Sequence, residues 1–114
     1  MKKLEAIIRK SKFTEVKRAL IGGGFNSFNY RLTRCISEKS ETRFYRGVEY
    51  DSKATERVLL SIYVKDQDTD LVISIIKESG TTGDAGDSYL AVLHANEAFK
   101  LEGGDEGDKL IRII

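Results

Sequence analysis

The segment from Gly80 to Ser88 has the composition of an anion-binding loop. It reads Gly-Thr-Thr-Gly-Asp-Ala-Gly-Asp-Ser, and its glycines allow successive backbone N–H groups to converge while the hydroxyls add further donors. A phosphate group would fit there. The segment lacks the Gly-Lys-Ser/Thr ending of a P-loop and joins a predicted helix to a predicted strand, so a plain turn is the more frequent explanation of this pattern taken alone.

A second segment, from about Ser37 to Arg57, has the composition of a partner-binding loop. It has no sustained periodicity and is much longer than a connection between adjacent antiparallel strands requires. Its centre, residues 45–50, reads Tyr-Arg-Gly-Val-Glu-Tyr and offers two aromatic rings, a guanidinium and a carboxylate. Side chains of these types anchor protein interfaces. An ordinary exposed loop is the alternative interpretation.

The sequence predicts neither a catalytic set nor a metal site. His94 is the only histidine, and the layout suggests no Ser/His/Asp or Cys/His group and no Gly-x-Ser-x-Gly motif. The acidic segment Gly103–Asp108 lacks the spacing and the closing glutamate of an EF-hand, which favours a solvated turn over a calcium site. We therefore expect a protein that is not an enzyme.

Composition narrows the cellular context. The 114 residues suffice for one domain, residues 1–114, and an apolar fraction of 40% is ordinary for a folded one. Nineteen basic and 18 acidic side chains leave a formal net charge of +1, which favours no nucleic-acid partner. Cys35 has no disulfide partner and no apolar run is long enough for a bilayer, so we expect a cytoplasmic protein.

The chain repeats one pattern, in which an alternating strand precedes an amphipathic helix, a glycine stop and another strand. The first copy consists of a strand (Leu4, Ala6, Ile8), a helical stripe (Val16, Ala19, Leu20), glycines at 22–24 and a strand at Phe25–Ile36. The second copy consists of a strand at Val58–Val64, candidate N-caps at Asp66 and Asp68, a helical stripe (Leu71, Val72, Ile75, Ile76), Gly80 and a strand at Ser88–His94.

This βαββαβ order predicts an α+β, ferredoxin-like fold. If each helix crosses over right-handedly to return beside its own strand, the result is a four-stranded antiparallel sheet with two helices on one face. The other face would be too apolar for solvent, since it would carry Ile7, Leu59, Tyr63, Tyr89 and Leu93. We expect other copies of the chain to cover it in a closed ring with ligand clefts between neighbours; a monomer covered by its own C-terminal tail is the alternative.

Four motifs in order give the chain a resemblance to the PII superfamily of nitrogen-regulatory signal transduction proteins over essentially its whole length. They are Lys2–Ile8, similar to the family's first strand, residues 45–50, similar to the YRGxEY of its T-loop, Thr82–Asp87, similar to the TGxxGD of its B-loop, and Gly104–Asp108, similar to its C-loop. The resemblance implies a ferredoxin-like homotrimer with a T-loop at about 37–57, a B-loop at 80–88 and a C-loop at 103–108.

The resemblance also implies a ligand and a partner. In that family ATP or ADP binds between subunits, with Lys and Arg side chains on its phosphates. The matching positions imply an adenine nucleotide (ADP, AMP or ATP, with Mg²⁺ as a companion of ATP) bound by Arg57, Gly83, Gly86, Asp87 and Lys100. The T-loop match implies contacts to a regulated target, such as a membrane transporter or a metabolic enzyme, from Tyr45, Arg46, Gly47, Glu49 and Tyr50.

Two departures from the family pattern change the expected charge of the cleft. Tyr89 stands where the family has a B-loop lysine, and Glu102 stands where it has a C-terminal arginine. The loss of two cations weakens the binding of a triphosphate most, so we expect ADP or AMP to be preferred over ATP. Lys39 or a neighbour replaces the glutamine at the T-loop base, which argues against 2-oxoglutarate sensing.

Other functions of this fold fit the sequence less well. RNA-recognition domains need aromatic residues on their central strands, and the first predicted strand has none. An acylphosphatase-like enzyme needs a glycine-rich loop after that strand, where Lys10-Ser11-Lys12 stands. Two alternatives within the resemblance stay open: a trimeric scaffold that binds no nucleotide, and a sensor of another small ligand such as bicarbonate.

Overall fold

A computed structural model describes residues 1–36, 42–45, 48–51, 55–82, 88–99 and 101, and for 42–45 and 48–51 it describes the course of the backbone alone. The elements in chain order are β1 (Lys2–Arg9), α1 (Lys10–Gly22), β2 (Asn29–Cys35), β3 (Thr42–Tyr45), β4 (Val48–Asp51), β5 (Thr55–Val64), a short 3₁₀-helix (Asp66–Asp68), α2 (Thr69–Gly80) and β6 (Tyr89–His94).

The main sheet has four antiparallel strands in the order β2-β5-β1-β6. With the two helices this is the ferredoxin-like arrangement, so the predicted fold is confirmed. The prediction of which strands lie side by side was wrong. Neither helix returns the chain beside its own strand, because β5 lies between β1 and β2, and β1 lies between β5 and β6. Interleaving the two halves places both long apolar strands at the centre of the sheet, where the helices cover them.

The core lies between the sheet and the helices. Leu4, Ala6 and Ile8 of β1 are buried together with alternate residues of β5, from Val58 to Val64. Val16 and Leu20 supply the buried side of α1, and Val72 and Ile76 that of α2. Leu71 was predicted to belong to the same stripe but is 53% exposed, because it lies on the outer side of α2. In the described part of the chain, no helix has the length and apolar character needed to cross a membrane.

The glycines at 22–24 end α1 in a Schellman motif. The N–H of Phe25 donates to the carbonyl of Leu20 at 2.9 Å and that of Gly24 to the carbonyl of Ile21 at 3.0 Å, while Gly24 has a φ of 93°. Phe25 then enters the core, with 4% of its surface exposed. For this reason the second predicted strand was too long, since residues 25–28 complete the turn and β2 begins at Asn29.

The start of α2 differs from the prediction. Asp68 occupies the N-cap position, but its side chain makes no capping hydrogen bond. The carboxylate of Asp66 instead contacts the N-terminal ammonium group of Met1 at 2.7 Å, which lowers the pKa of Asp66. The hydroxyl of Thr69 donates to the carbonyl of Lys65 at 3.1 Å. The two aspartates therefore lie where predicted without acting as side-chain caps.

The sheet face opposite the helices, here called the open face, contains the five predicted apolar residues but is less apolar than expected. The strand register places Ile7 between Leu59 and Tyr89, and Lys3 between Tyr63 and Leu93. The middle of the face is polar, since Glu5 forms an ion pair with Lys3 at 3.0 Å and lies opposite Ser61. Tyr89 and Leu93 are exposed, whereas Ile7 is buried between its neighbours.

The segment predicted as an irregular loop from about 37 to 57 contains strands. Strands β3 and β4 pair antiparallel, with Tyr45 opposite Val48 and Thr42 opposite Asp51. Strand β5 begins at Thr55, so Arg57 is part of the main sheet. The alternation of apolar residues gave no sign of these strands, because backbone hydrogen bonds alone hold a ladder and require no buried side.

Candidate functional site

The candidate site lies at the end of the sheet where β1 stops and β6 starts. A cavity of about 500 Å³ opens there, beside the last turn of α2. Its walls are formed by Ala6, Ile7 and Ile8 of β1, by Ile73, Ile76, Lys77 and Gly80 of α2, by Thr81 and Thr82, and by Ser88, Tyr89, Leu90 and Val92. A volume of this size is in the range of small-molecule sites.

The chemistry of the cavity is mixed. Most of the wall is aliphatic, which suits a flat or apolar group. Four hydroxyl-bearing residues and one ammonium group give it donors for an anionic or hydroxylated group; they belong to Thr81, Thr82, Ser88, Tyr89 and Lys77. Thr82 and Ser88 belong to the two ends of the predicted B-loop at 80–88, so both ends of that segment border the cavity. This arrangement can hold an amphipathic ligand that has a ring at one end and an anion at the other.

Two guanidinium groups lie at the same end of the sheet, on its open face. Arg57 of β5 is directly opposite Arg9 of β1, and on its other side it faces Thr33 of β2. The Nη1 of Arg57 donates to the backbone carbonyl of Glu56 at 3.0 Å. Like charges directly opposite each other in a sheet are destabilising. An anion bound near both arginines would interact favourably with each of them, so this end of the sheet is a candidate anion-binding position.

The structure places some of the predicted site residues and leaves others outside its description. Arg57 lies at the sheet end described above, and Tyr45, Glu49 and Tyr50 belong to the β3–β4 ladder. Tyr89, the predicted departure from the family pattern, borders the cavity and is 56% exposed. The remaining predicted residues, Gly83, Gly86, Asp87, Lys100, Arg46 and Gly47, lie outside the described residues, as does Glu102.

Sequence reasoning missed two cations, Arg9 and Lys77. Arg9 follows the alternating run of β1 and was treated only as a polar residue of that strand, although a strand register places it beside Arg57. Lys77 lies one turn before the end of α2, where a cation also interacts favourably with the helix dipole. For Lys77 the available signal was its position just before the predicted B-loop, whereas the position of Arg9 along the chain gave no signal.

The single histidine is remote from this end of the molecule. His94 lies at the other end of β6, where its Nδ1 is 3.5 Å from the Nζ of Lys2. Among the described residues, no group of three or more His, Cys, Asp or Glu side chains is arranged to hold a metal ion. The described part of the site therefore consists of hydroxyls, cations and apolar surface.

Fold and site together define a ferredoxin-like domain with an open sheet face and a cationic end beside a small-molecule cavity. No family model matches the chain. The chain is 32% identical to the nitrogen regulatory protein P-II of Haemophilus influenzae over 97% of its length and 100% of that protein. It is also 32% identical to the nitrogen regulatory protein P-II 2 of Methanothermobacter thermautotrophicus over 97% of both chains. The nitrogen regulatory protein P-II of Microchaete diplosiphon is 30% identical to this chain over 97% of this chain and 100% of that protein.

The chain belongs to the PII family of nitrogen regulatory proteins. Coverage of nearly the whole length means that the relationship includes the core and both predicted functional segments. The relatives are named regulatory proteins, which supports a role in signal transduction for this chain. At about 30% identity most surface residues have changed, so the details of a ligand site must be argued from the residues of this chain.

Proposed function

We propose that this protein is a PII-like signal transduction protein that binds an adenine nucleotide in the clefts of a homotrimer. The observation that carries the proposal is the direct opposition of Arg9 and Arg57 on β1 and β5. This like-charged pair lies at the same end of the sheet as the cavity bordered by Thr82 and Ser88. An anion would interact favourably with both arginines, and the aliphatic wall of the cavity suits a nucleobase.

The exposed apolar residues support the trimer. Tyr89 and Leu93 are 56% and 41% exposed on the open face, and Tyr30 and Leu32 are 57% and 59% exposed on β2. Strands β2 and β6 are the two edges of the four-stranded sheet. Apolar edges on opposite sides of one subunit suit a heterologous contact that closes into a ring. The polar middle of the open face is consistent with an interface that is apolar only in part.

The proposed preference among nucleotides follows from charge. The residues that the family match assigns to the phosphates are Arg57 and Lys100, whereas Tyr89 and Glu102 replace two further cations of the family. Each phosphate beyond the first adds negative charge that must be neutralised or left partly desolvated. We therefore propose that ADP or AMP binds more tightly than ATP.

The proposed output is contact with a regulated protein, such as a transporter or a metabolic enzyme, through the T-loop. The candidate residues are Tyr45, Arg46, Gly47, Glu49 and Tyr50. The pairing of β3 with β4 supports this role, because it gives Tyr45, Glu49 and Tyr50 a regular backbone, and residues of these types anchor protein interfaces. We further propose a cytoplasmic protein that acts by binding and has no enzymatic activity of its own.

Calorimetric titration of the protein with AMP, ADP and ATP tests the ligand. We expect saturable binding, with ATP no tighter than ADP. Arg57→Gln should weaken ADP binding roughly tenfold to a hundredfold, because it removes one charge-assisted contact. Arg34→Gln is the matched control. It removes the same charge from an exposed position of β2, on the opposite side of the sheet from Arg57, and should leave the affinity for ADP unchanged.

Two further variants test the loop assignments. Gly86→Val should abolish binding of all three nucleotides by blocking approach of the backbone, and Glu102→Arg should improve ATP binding most, by roughly 1–2 kcal/mol. Tenfold tighter binding of ATP than of ADP by the unmodified protein would contradict the charge argument. Absence of heat with every nucleotide, with the trimer mass retained in light scattering, would instead support the scaffold or a bicarbonate sensor.

A further inference from the structure

The outer side of α1 carries a group of cations that the site described above does not use. Lys10, Lys17 and Arg18, here called the α1 basic face, are all exposed. At 100° per residue they fall within one third of the helix circumference, and Val16 and Leu20 point the opposite way into the core. Lys17 and Arg18 therefore lie on the outer side of α1, while Lys10 lies at its start, close to Glu56 of β5.

These cations have little compensation within the described part of the chain. The nearest partner of Lys10 is Glu56, at 3.8 Å, and both side chains are about half exposed. No carboxylate there lies within ion-pair distance of Lys17 or Arg18. The one acidic residue of α1, Glu15, accepts a bond from Lys12 at 3.1 Å. The face therefore keeps its positive charge.

The position of Lys10 also opposes the electrostatics of the helix. The first turn of α1 has no acidic residue and its N-cap, Arg9, makes no side-chain cap. A cation at a helix start interacts unfavourably with the dipole. Helix α2 follows the usual pattern, with Asp70 in its first turn and Lys77 in its last. The charges at the start of α1 therefore cost stability, unlike those of α2, so folding does not account for the cations of α1.

We propose that the α1 basic face is a second docking surface, which binds carboxylates on a partner protein. Lys10 is separated from Lys17 and Arg18 by seven and eight residues, which corresponds to about 10–12 Å along the helix. Acidic residues two helical turns apart on a partner helix match that spacing. Charge complementarity selects such a partner, because the face has no acidic member.

Two observations favour a protein over a membrane or a nucleic acid. Val16 and Leu20 of α1 are buried in the core, so Ile21 is its one large apolar side chain with a mainly exposed surface, too little for the helix to insert among lipids. Ile21 is 48% exposed one turn after Lys17 and Arg18, and an apolar side chain beside cations is a composition found at protein interfaces. A net charge of +1 for the whole chain gives no long-range attraction to a polyanion.

The test uses two helical peptides of identical composition. In one, glutamate pairs are spaced seven residues apart, and in the other the same residues are scrambled. We expect the spaced peptide to bind more tightly, with affinity falling as salt increases. Lys17→Glu and Arg18→Glu should each weaken it by more than the roughly 2- to 5-fold that loss of one exposed ion pair gives, since reversal adds repulsion.

The matched control is Lys65→Glu, which makes the same change in net charge on the segment before α2. It should leave affinity for the spaced peptide unchanged, and circular dichroism should show all three variants folded. Equal weakening by Lys65→Glu, or equal binding of both peptides, would overturn the proposal. So would tighter binding to phosphatidylserine vesicles or duplex DNA that the same α1 variants abolish. Nucleotide calorimetry does not involve this face, so failure here leaves the proposed ligand untouched.

Discussion

The two halves of the molecule have one topology and different surface chemistry. Both run strand–helix–strand, and each helix places two apolar residues in the core, Val16 and Leu20 in α1 against Val72 and Ile76 in α2. Outside the core they diverge. Helix α1 begins with cations and ends in a positive-φ glycine, whereas α2 begins with an acid and passes into extended chain at Thr81. The two halves thus share the way their helices pack against the sheet, but they differ in the charges at the helix starts and in how the helices end.

The largest expected effect tests whether the halves contribute equally to the core. Leu20→Ala and Ile76→Ala should each lower the free energy of unfolding by about 2–5 kcal/mol, because each leaves a cavity between sheet and helix. Urea unfolding at one fixed protein concentration measures this, since assembly makes stability depend on concentration. The exposed neighbours Ile21 and Leu71 serve as controls, and alanine there should change stability by less than about 0.5 kcal/mol. A large loss of unfolding free energy for only one of the two core variants would show that the two helices do not contribute equally to the core.

The helix ends give the next effect. Gly24→Ala should cost about 1–2 kcal/mol, because a side chain at a φ of 93° is strained. Gly80→Ala should cost less, since its new Cβ would lie 3.3 Å from the Cγ2 of Val16 without a left-handed backbone. Gly22→Ala is the control, because no atom lies within 4 Å of its added Cβ, and there alanine should stabilise the helix by up to about 1 kcal/mol. Thermal unfolding that ranked Gly80→Ala as the most damaging would contradict this account.

Much of the fold could be predicted because periodicity reports burial. Leu4, Ala6 and Ile8 alternate because one side of β1 is covered, and the same reasoning located both helices. It failed where the sequence shows no sustained alternation of apolar residues. Residues 42–45 and 48–51 have none but form β3 and β4, and Phe25 enters the core from a turn. The neighbour relations of β1 and β5 also escaped it, since a single chain carries no direct record of which strands pair.

The candidate site was predicted in part for a similar reason. Arg57 was found through the family motifs, which record position along the chain. Arg9 and Lys77 were missed, because their relevance depends on a strand register and on a helix end that meets a cavity. Arg9 pairs with Arg57, and Lys77 lines the cavity together with Ala6–Ile8, so each cation lies near a segment distant from it in sequence. Motifs of short range cannot report such contacts, so a structure was needed to place Arg9 opposite Arg57 and Lys77 at the cavity.

A smaller effect concerns the charge at the helix starts. Ser11→Asp in the first turn of α1 should raise the free energy of unfolding by about 0.3–1 kcal/mol, because it supplies the acid that this helix lacks. Asp70→Asn in α2 should lower it by a similar amount. Ser74→Asp, on the exposed middle of α2, should change little and controls for net charge. If Ser11→Asp left the free energy of unfolding unchanged at low salt, the charge difference between the two helix starts would not contribute to stability.

The smallest expected effect concerns the turn before α2, which has no counterpart in the first half. Asp66 contacts the N-terminal ammonium of Met1, and the hydrogen bond to that group is the main reason why the pKa of Asp66 is lowered from 3.8. A carboxyl whose pKa is lower in the folded state contributes stability above its unfolded value, and loses it as pH falls through the folded-state value. In the tag-free protein, Asp66→Asn should therefore lower the urea midpoint slightly at pH 6, and its difference from the parent protein should shrink as the pH falls through the folded-state pKa of Asp66. Asp68→Asn is the control, because the side chain of Asp68 makes no capping bond and its replacement should lower the midpoint less at pH 6. A difference between Asp66→Asn and the parent protein that did not shrink as the pH was lowered would mean that the side chain of Asp66 acts through packing and not through its charge.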